Sequence, residues 1–135
     1  MPTQIYINLP VNDLSKTKSF FEQLGYSFNA QFTDEKAACM IISNDIYVML
    51  LRRDFFETFT HKKVIDAKEN TEVLICLSAE NRNAVDELVQ KAITAGGKAH
   101  REPMDHGMMY QWAFEDLDGH IWEIAWMDEN FTGAQ

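Results

Sequence analysis

The 135-residue sequence carries one order of elements twice, and that duplication is the tightest limit on its fold. The stretch QIYINLPV (4–11) is a β-like run ended by Pro10. Asp13 then stands where a helix over 14–24 needs its N-cap. Leu14, Thr17, Phe20, Phe21 and Leu24 recur at helical spacing, and Gly25 suits the left-handed position that closes a helix. Strand patterns follow at 26–32, 37–42 and 46–51, the last two joined by the turn SND at 43–45. A largely polar connector with a short helical turn follows. The pattern then restarts with a strand at 72–79 and a helix from Asn81 or Asn83 to about Ala95, its stripe made by Val85, Leu88, Val89, Ala92 and Ile93. Gly96 and Gly97 stop it. A weak strand at 98–102 and stronger ones at 110–116 and 120–127 complete the copy, with the turn LDG at 117–119. Helix-ending glycines and final turns recur at an offset of about 70 residues, too long for a solenoid repeat and present only twice. The expected fold is α+β, two βαβββ modules in one domain spanning 1–135: module one about 1–52, connector 53–71, module two about 72–128. Each module should hold an antiparallel or mixed sheet with its helix on the convex side.

Composition removes several function classes. Twelve basic against twenty-one acidic residues give a net charge of −9, a poor start for binding a phosphate backbone. Cys39 and Cys76 stand outside any C-x-x-C pattern, so a disulfide scaffold or structural zinc site is not expected, and both read as small hydrophobes. No run approaches the length of a membrane span, and MPTQIYINLPV lacks the basic and apolar regions of a signal peptide, so the expected location is the cytoplasm. Phosphate-loop, serine-elbow, dinucleotide and zinc-helix motifs do not occur.

INLPVNDLSKTKSFFEQLGY (7–26) and FEDLDGHIWEI (114–124), set around the duplicated βαβββ order, resemble the vicinal oxygen chelate superfamily. That superfamily includes glyoxalase I, bleomycin-resistance proteins and extradiol dioxygenases. Residues 7–26 look like the family's opening strand, D-L pair and helix ending in L-G-[FY]. Residues 114–124 resemble its closing hairpin with a glutamate. The resemblance implies that the modules form an open barrel-like cleft holding a metal or ligand. It also implies four metal-ligand positions, which fall here on Tyr6, near Met49, on Leu74 and on Glu123. Only Glu123 is a donor of the usual kind. A divalent ion needs three or four nitrogen or oxygen donors, so no fully occupied metal site and no required cofactor are expected.

Side chains two apart on a strand share a face, so Ile121, Ala125 and Met127 accompany Glu123, while Trp122, Ile124 and Trp126 take the opposite face. The resemblance adds Tyr6 and Asn8 from the first strand, Tyr47, Met49 and Leu51 from the fourth, and Glu72, Leu74, Cys76 and Ser78 from the fifth. The result is a mainly apolar small-molecule site. Each polar member also has a structural reading: Asn8 bonded to backbone, Glu72 in solvent, and Glu123 bonded to Tyr6 or Asn8. Partial burial would suit Glu123 to proton transfer or to holding a cationic or hydroxylated ligand. His120 points away from Glu123. His61 and His100 lie in polar segments, and His106 sits in the loop PMDHGMMYQW (103–112), a cover for a ligand or a Met-rich lid without chemistry.

The leading functional expectation is a member of this superfamily that binds a small organic molecule without the usual metal. The alternative is a metal-dependent lyase or dioxygenase with a rearranged ligand set, recruiting Asn8, His106 or Glu72 beside Glu123. A structural dimer with a vestigial cleft is the third. A homodimer is expected, with Trp112, Trp122, Trp126 and Phe131 as candidate contacts.

Overall fold

The computed structural model describes residues 2–130, and the chain divides into two compact units, Met1–Ile65 and Asp66–Gln135. In the first unit, strand β1 (Ile5–Val11) is followed by helix α1 (Leu14–Gln23). Asp13 caps α1 as its pattern predicts, its carboxylate accepting the Lys16 N–H at 3.1 Å, a contact worth about 1 kcal/mol. Gly25 closes the helix at φ +104°, while the N–H of Tyr26 returns to the Phe21 carbonyl at 3.1 Å. Thr17, Phe20 and Phe21 are the buried face of α1.

Strands β2 (Ser27–Phe28), β3 (Ala37–Ile41) and β4 (Ile46–Arg52) complete the sheet in the order β1-β4-β3-β2. The pair β1–β4 is parallel, bridged by the intervening helix and strands, whereas β3–β4 is an antiparallel hairpin around 43–45. β2 is shorter than the expected 26–32. Asn29 explains this, because its side chain accepts the Gln31 N–H at 3.0 Å and starts a 3₁₀ turn over Ala30–Phe32. The connector supplies its helical turn as helix α2 (Arg53–Phe56), extended by a 3₁₀ turn over Glu57–Phe59.

The second unit repeats the order: β5 (Ile75–Ser78), α3 (Arg82–Thr94), β6 (Lys98–Ala99), β7 (Met104–Asp105), β8 (Met109–Glu115) and β9 (Ile121–Met127). Asn81 caps α3 by accepting the Ala84 N–H at 2.7 Å. The sheet runs β5-β9-β8-β6, with β7 also on β8 and with β5 parallel to β9. The third strand of this copy is broken in two. β6 pairs with Glu115 and Phe114 at one end of β8, and β7 with Gln111 and Tyr110 further along. Pro103 lies in the break, where a residue without an N–H cannot continue the ladder.

Val85, Val89 and Ala92 of α3 are buried, as are Phe114, Trp122 and Ile124 of the sheet. Trp122 and Phe114 stack with ring centroids 6.3 Å apart. Trp122 is a core residue of the monomer, which removes it as a candidate dimer contact. Trp112 and Trp126 are half-buried, and Phe131 lies outside the described residues. The β8–β9 turn is organised by Asp116, whose Oδ1 accepts the N–H groups of Asp118 and His120 at 2.9 and 3.0 Å. Its Oδ2 accepts the Trp122 indole N–H at 3.0 Å, and burial pushes this carboxyl above the usual range. Among the described residues no helix is long and apolar enough to cross a membrane.

Candidate functional site

Glu123 lies on the sheet face opposite α3. Across the β9–β8 pair it stands opposite Ala113, and across β9–β5 opposite Cys76. Trp122 and Ile124, on the other face, are buried, as period-two alternation predicts. The Glu123 side chain is only 20% exposed and the structure supplies it with a cation: Arg101 Nη2 donates to Glu123 Oε2 at 3.2 Å. The same nitrogen donates to Gln111 Oε1 at 2.5 Å. Gln111 and Glu123 flank Ala113 on one face, and the Ala113 methyl leaves room for the guanidinium to reach both.

Arg101 comes from the break between β6 and β7, and its backbone is pinned: its carbonyl accepts the Trp112 indole N–H at 2.5 Å. The charge is therefore held at both ends of the residue. Sequence periodicity does not reveal it. An arginine outside a continuous strand has no phase, and the only signal is the following Pro103, which ends β pairing nearby.

The expected partners of Glu123 engage elsewhere. The Tyr6 hydroxyl donates to Gln4 Oε1 at 3.2 Å, and Asn8 Nδ2 to the Tyr6 carbonyl at 3.4 Å. In the first unit the predicted residues do gather on β1 and β4: Tyr6 opposite Tyr47 with rings stacked at 4.9 Å, and Asn8 opposite half-buried Met49. Leu51, expected on the same face, is buried. In the second unit, Cys76 is exposed beside Glu123, and burial followed by the Glu123 charge pushes its thiol upward. Leu74 precedes β5 and is 56% exposed, since the strand begins at Ile75 rather than at 72. Glu72 is exposed in the same preceding segment.

His106 sits exposed in the β7–β8 turn, where its N–H bonds to the Met109 carbonyl at 2.8 Å. Asp105 beside it turns to Arg82, which donates from Nη1 at 2.6 Å and from Nη2 at 3.0 Å, and Arg82 also donates to the Gly107 carbonyl at 2.6 Å. The Arg82 guanidinium lies 5.3 Å from the ring centroids of both Tyr110 and Trp126. The turn is thus tied to the start of α3, and Trp126 is engaged within its own unit.

His100 is exposed, as its polar segment predicts, and it is also an organised group. Its N–H bonds to the Ala113 carbonyl at 3.0 Å, and its Nδ1 lies 3.1 Å from Glu115 Oε2. Glu115 and Ala113 alternate with buried Phe114 along β8, so His100, Glu115, Arg101 and Glu123 share one face.

This face does not fit a divalent metal. The carboxylate that the resemblance offers as a ligand is paired with a guanidinium, a fixed cation that repels another one. Leu74 has no donor atom and Met49 only a thioether. Among the described residues no three His, Cys, Asp or Glu side chains form a group able to hold a metal ion. Glu72 is exposed ahead of β5 and His106 in the β7–β8 turn, and among the described residues neither belongs to such a group with Glu123.

Residues 3–124 match the family model described as Glyoxalase/Bleomycin resistance protein/Dioxygenase superfamily. Among solved structures, the hypothetical protein SA1046 from S. aureus is 31% identical over 93% of this chain and 94% of its own, with a TM-score of 0.78. A glyoxalase-related enzyme from Fulvimarina pelagi shares 20% identity over 93% of this chain and 88% of its own, at a TM-score of 0.79. The genomically encoded fosfomycin resistance protein FosX from Listeria monocytogenes shares 19% identity over 96% of each chain, at a TM-score of 0.69. These last two likenesses bear on the fold alone. A search of curated proteins finds no match. The family match over nearly the whole chain, the two βαβββ units and the retained glutamate agree: the chain belongs to the glyoxalase/bleomycin resistance protein/dioxygenase superfamily, with the superfamily's usual metal site incomplete.

Proposed function

We propose that this protein binds a small organic molecule on the Glu123 face, with the Arg101 guanidinium standing in for the metal as the fixed positive group. The observation that carries the reading is the Arg101–Glu123–Gln111 network, half-buried and anchored through Trp112. A guanidinium has five N–H donors in a planar fork, so contacts to Glu123 and Gln111 leave donors for a carbonyl or carboxylate oxygen of the ligand. Cys76 and the aliphatic parts of the face supply apolar contact. Leu74 and His106 are proposed as further contacts in this unit, and Tyr6, Asn8, Tyr47 and Met49 as ligand contacts on the β1–β4 pair of the first unit. Glu123 acts here by orienting Arg101, and its direct part in any proton transfer is the secondary reading. The test is a ligand screen by chemical-shift perturbation on the whole chain, followed by Arg101→Met. A ligand held here shifts the Trp112 indole signal and is lost in the variant. Ligands that leave that signal unmoved, or that bind Arg101→Met equally, contradict the reading.

We also propose a cytoplasmic homodimer that does not bind nucleic acid. The −9 charge supports the last point. Ile5, Tyr6 and Ile46 support the first: they are exposed together at one end of the β1–β4 pair, where an apolar surface suits a second chain. Light scattering that gives 15.6 kDa at micromolar concentration removes the dimer.

A further inference from the structure

A cavity of about 270 Å³ lies in the second unit where the end of α3, the start of β6 and the β8–β9 turn meet. Its lining includes Lys68, Gly96, Gly97, Lys98 and Gly119. Each lysine is brought there by a separate constraint. Lys98 belongs to β6 and pairs with Glu115 across the β6–β8 ladder. Lys68 arrives on a turn that Asp66 organises: its carboxylate accepts the Lys68 N–H at 2.9 Å, and its carbonyl accepts the Asn70 N–H at 3.1 Å. That turn is seated on Gly119 so closely that a Cβ at 119 would lie 2.7 Å from the Lys68 nitrogen and Cα. Only glycine, here at φ +89°, admits the approach. The close seating fixes the Lys68 backbone at the cavity wall.

The charges around this cavity do not cancel. Asp116 also lines it but is engaged within the turn: its oxygens accept from the Asp118 and His120 N–H groups and from the Trp122 indole. Burial pushes that carboxyl upward, toward its neutral form. Glu115, the other acidic lining residue, is turned to His100 Nδ1 at 3.1 Å. At the end of α3 the Ala92 and Ile93 carbonyls accept the Gly97 and Gly96 N–H groups at 2.9 and 3.2 Å, which weakens the negative end of the helix dipole. Among the described residues neither the Lys68 nor the Lys98 ammonium forms an ion pair. In a chain of net charge −9, two such cations on one cavity make a local positive field.

We propose that this cavity binds a phosphate dianion, free or as the phosphate end of a small organic molecule, through Lys68 and Lys98. A lysine ammonium is a compact point charge suited to tetrahedral phosphate, whereas a planar carboxylate is matched better by the fork of an arginine. Gly96, Gly97 and Gly119 leave their part of the wall bare of side chains, so phosphate oxygens can come close to backbone. The volume lies just under the roughly 300 Å³ at which ordinary small-molecule pockets begin, so an organic partner has only a few carbons beside its phosphate. The lining contains neither Arg101 nor Glu123. This site therefore goes beyond the binding reading above, and either can fail without the other.

The experiment is an amide NMR titration of the whole chain at a pH of about 7.5, above the second ionisation of a phosphate ester at about 6. Sodium chloride holds the ionic strength constant, so that screening does not change along the titration. The probes are inorganic phosphate, glycerol 3-phosphate and malonate. Saturable shifts of the Gly96, Gly97 and Gly119 amide signals are expected with at least one phosphate probe, with a Kd in the millimolar range or below. Lys68→Met and Lys98→Met should each weaken that binding about tenfold. Lys91→Met removes a cation from α3 outside the cavity lining and should change it less than about twofold. All three lysines are exposed, so the variants keep the fold, and an unmoved Trp122 indole signal checks this. Tighter binding of glycerol 3-phosphate identifies the organic ester and tighter binding of inorganic phosphate the free ion, and both uphold the site. No saturable shift with either phosphate into the tens of millimolar overturns the inference. Binding that survives both cavity-lysine variants, that Lys91→Met weakens equally, or that malonate matches overturns it too.

Discussion

Arg101→Met removes the guanidinium while keeping most of the aliphatic stem, so its effect isolates the charge. The side chains of Arg101 and Glu123 are 28% and 20% exposed, between the fully exposed and fully buried cases. Exposed pairs contribute up to about 1 kcal/mol, whereas breaking a buried pair costs about 3–5 kcal/mol. For this pair about 1 kcal/mol of coupling is expected after solvent screening. The lost bond to Gln111 adds about 1 kcal/mol, for a total near 2 kcal/mol. Urea unfolding of the parent, Arg101→Met, Glu123→Gln and the double variant separates these contributions. The double variant should be less destabilised than the sum of the singles by about 1 kcal/mol, because each single strands the other's partner. Additivity within about 0.3 kcal/mol would refute the claim that Arg101 and Glu123 act as a unit.

Three further outcomes follow from other parts of the structure. Gly119→Ala places a Cβ 2.7 Å from the Lys68 backbone at φ +89°, whereas Gly25→Ala at φ +104° meets nothing within 4 Å. Thermal unfolding should show about 1–2 kcal/mol lost at Gly25 and clearly more at Gly119, and equal losses contradict the close approach. Arg82 and the Gly107 N–H hold the Asp105 carboxyl at about 2, below its ordinary 3.8. The unfolded chain therefore takes the proton first. The stability difference between parent and Asp105→Asn should be flat above about pH 4 and shrink as pH falls through 2; a carboxyl titrating near 4 in carbon NMR contradicts it. Cys76 is exposed and Cys39 buried, so a thiol reagent should label one site per chain well before the other, and that site should be Cys76, at a rate slowed by its raised thiol pKa. Equal labelling of both would refute the burial.

The periodic parts of the chain are legible because burial leaves a mark in sequence. Helices α1 and α3 announce themselves by Asp13, Asn81 and their apolar stripes, and the phase of Glu123 follows from Trp122 and Ile124. Two-residue strands leave no such mark. β7 exists only because β8 offers partners to Met104 and Asp105. Val73 and Leu74 resemble strand residues by composition, yet both are exposed ahead of β5. The site is half legible. A carboxylate in an apolar strand demands a partner, but nothing in the local pattern says that the partner is Arg101, about twenty residues upstream. His100 is hidden similarly, since its link to Glu115 depends on the short β6–β8 pairing.

In the proposed reading the positive group at Glu123 is the Arg101 guanidinium, which takes the place of a metal. Elemental analysis of the whole chain purified without chelator, with titration by manganese, nickel, zinc and ferrous iron, tests this most directly. The predicted result is less than about a tenth of an equivalent of any metal bound, roughly the background of adventitious ions, and no saturable binding that Glu123→Gln removes. One equivalent of metal per chain, lost in Glu123→Gln, would contradict it.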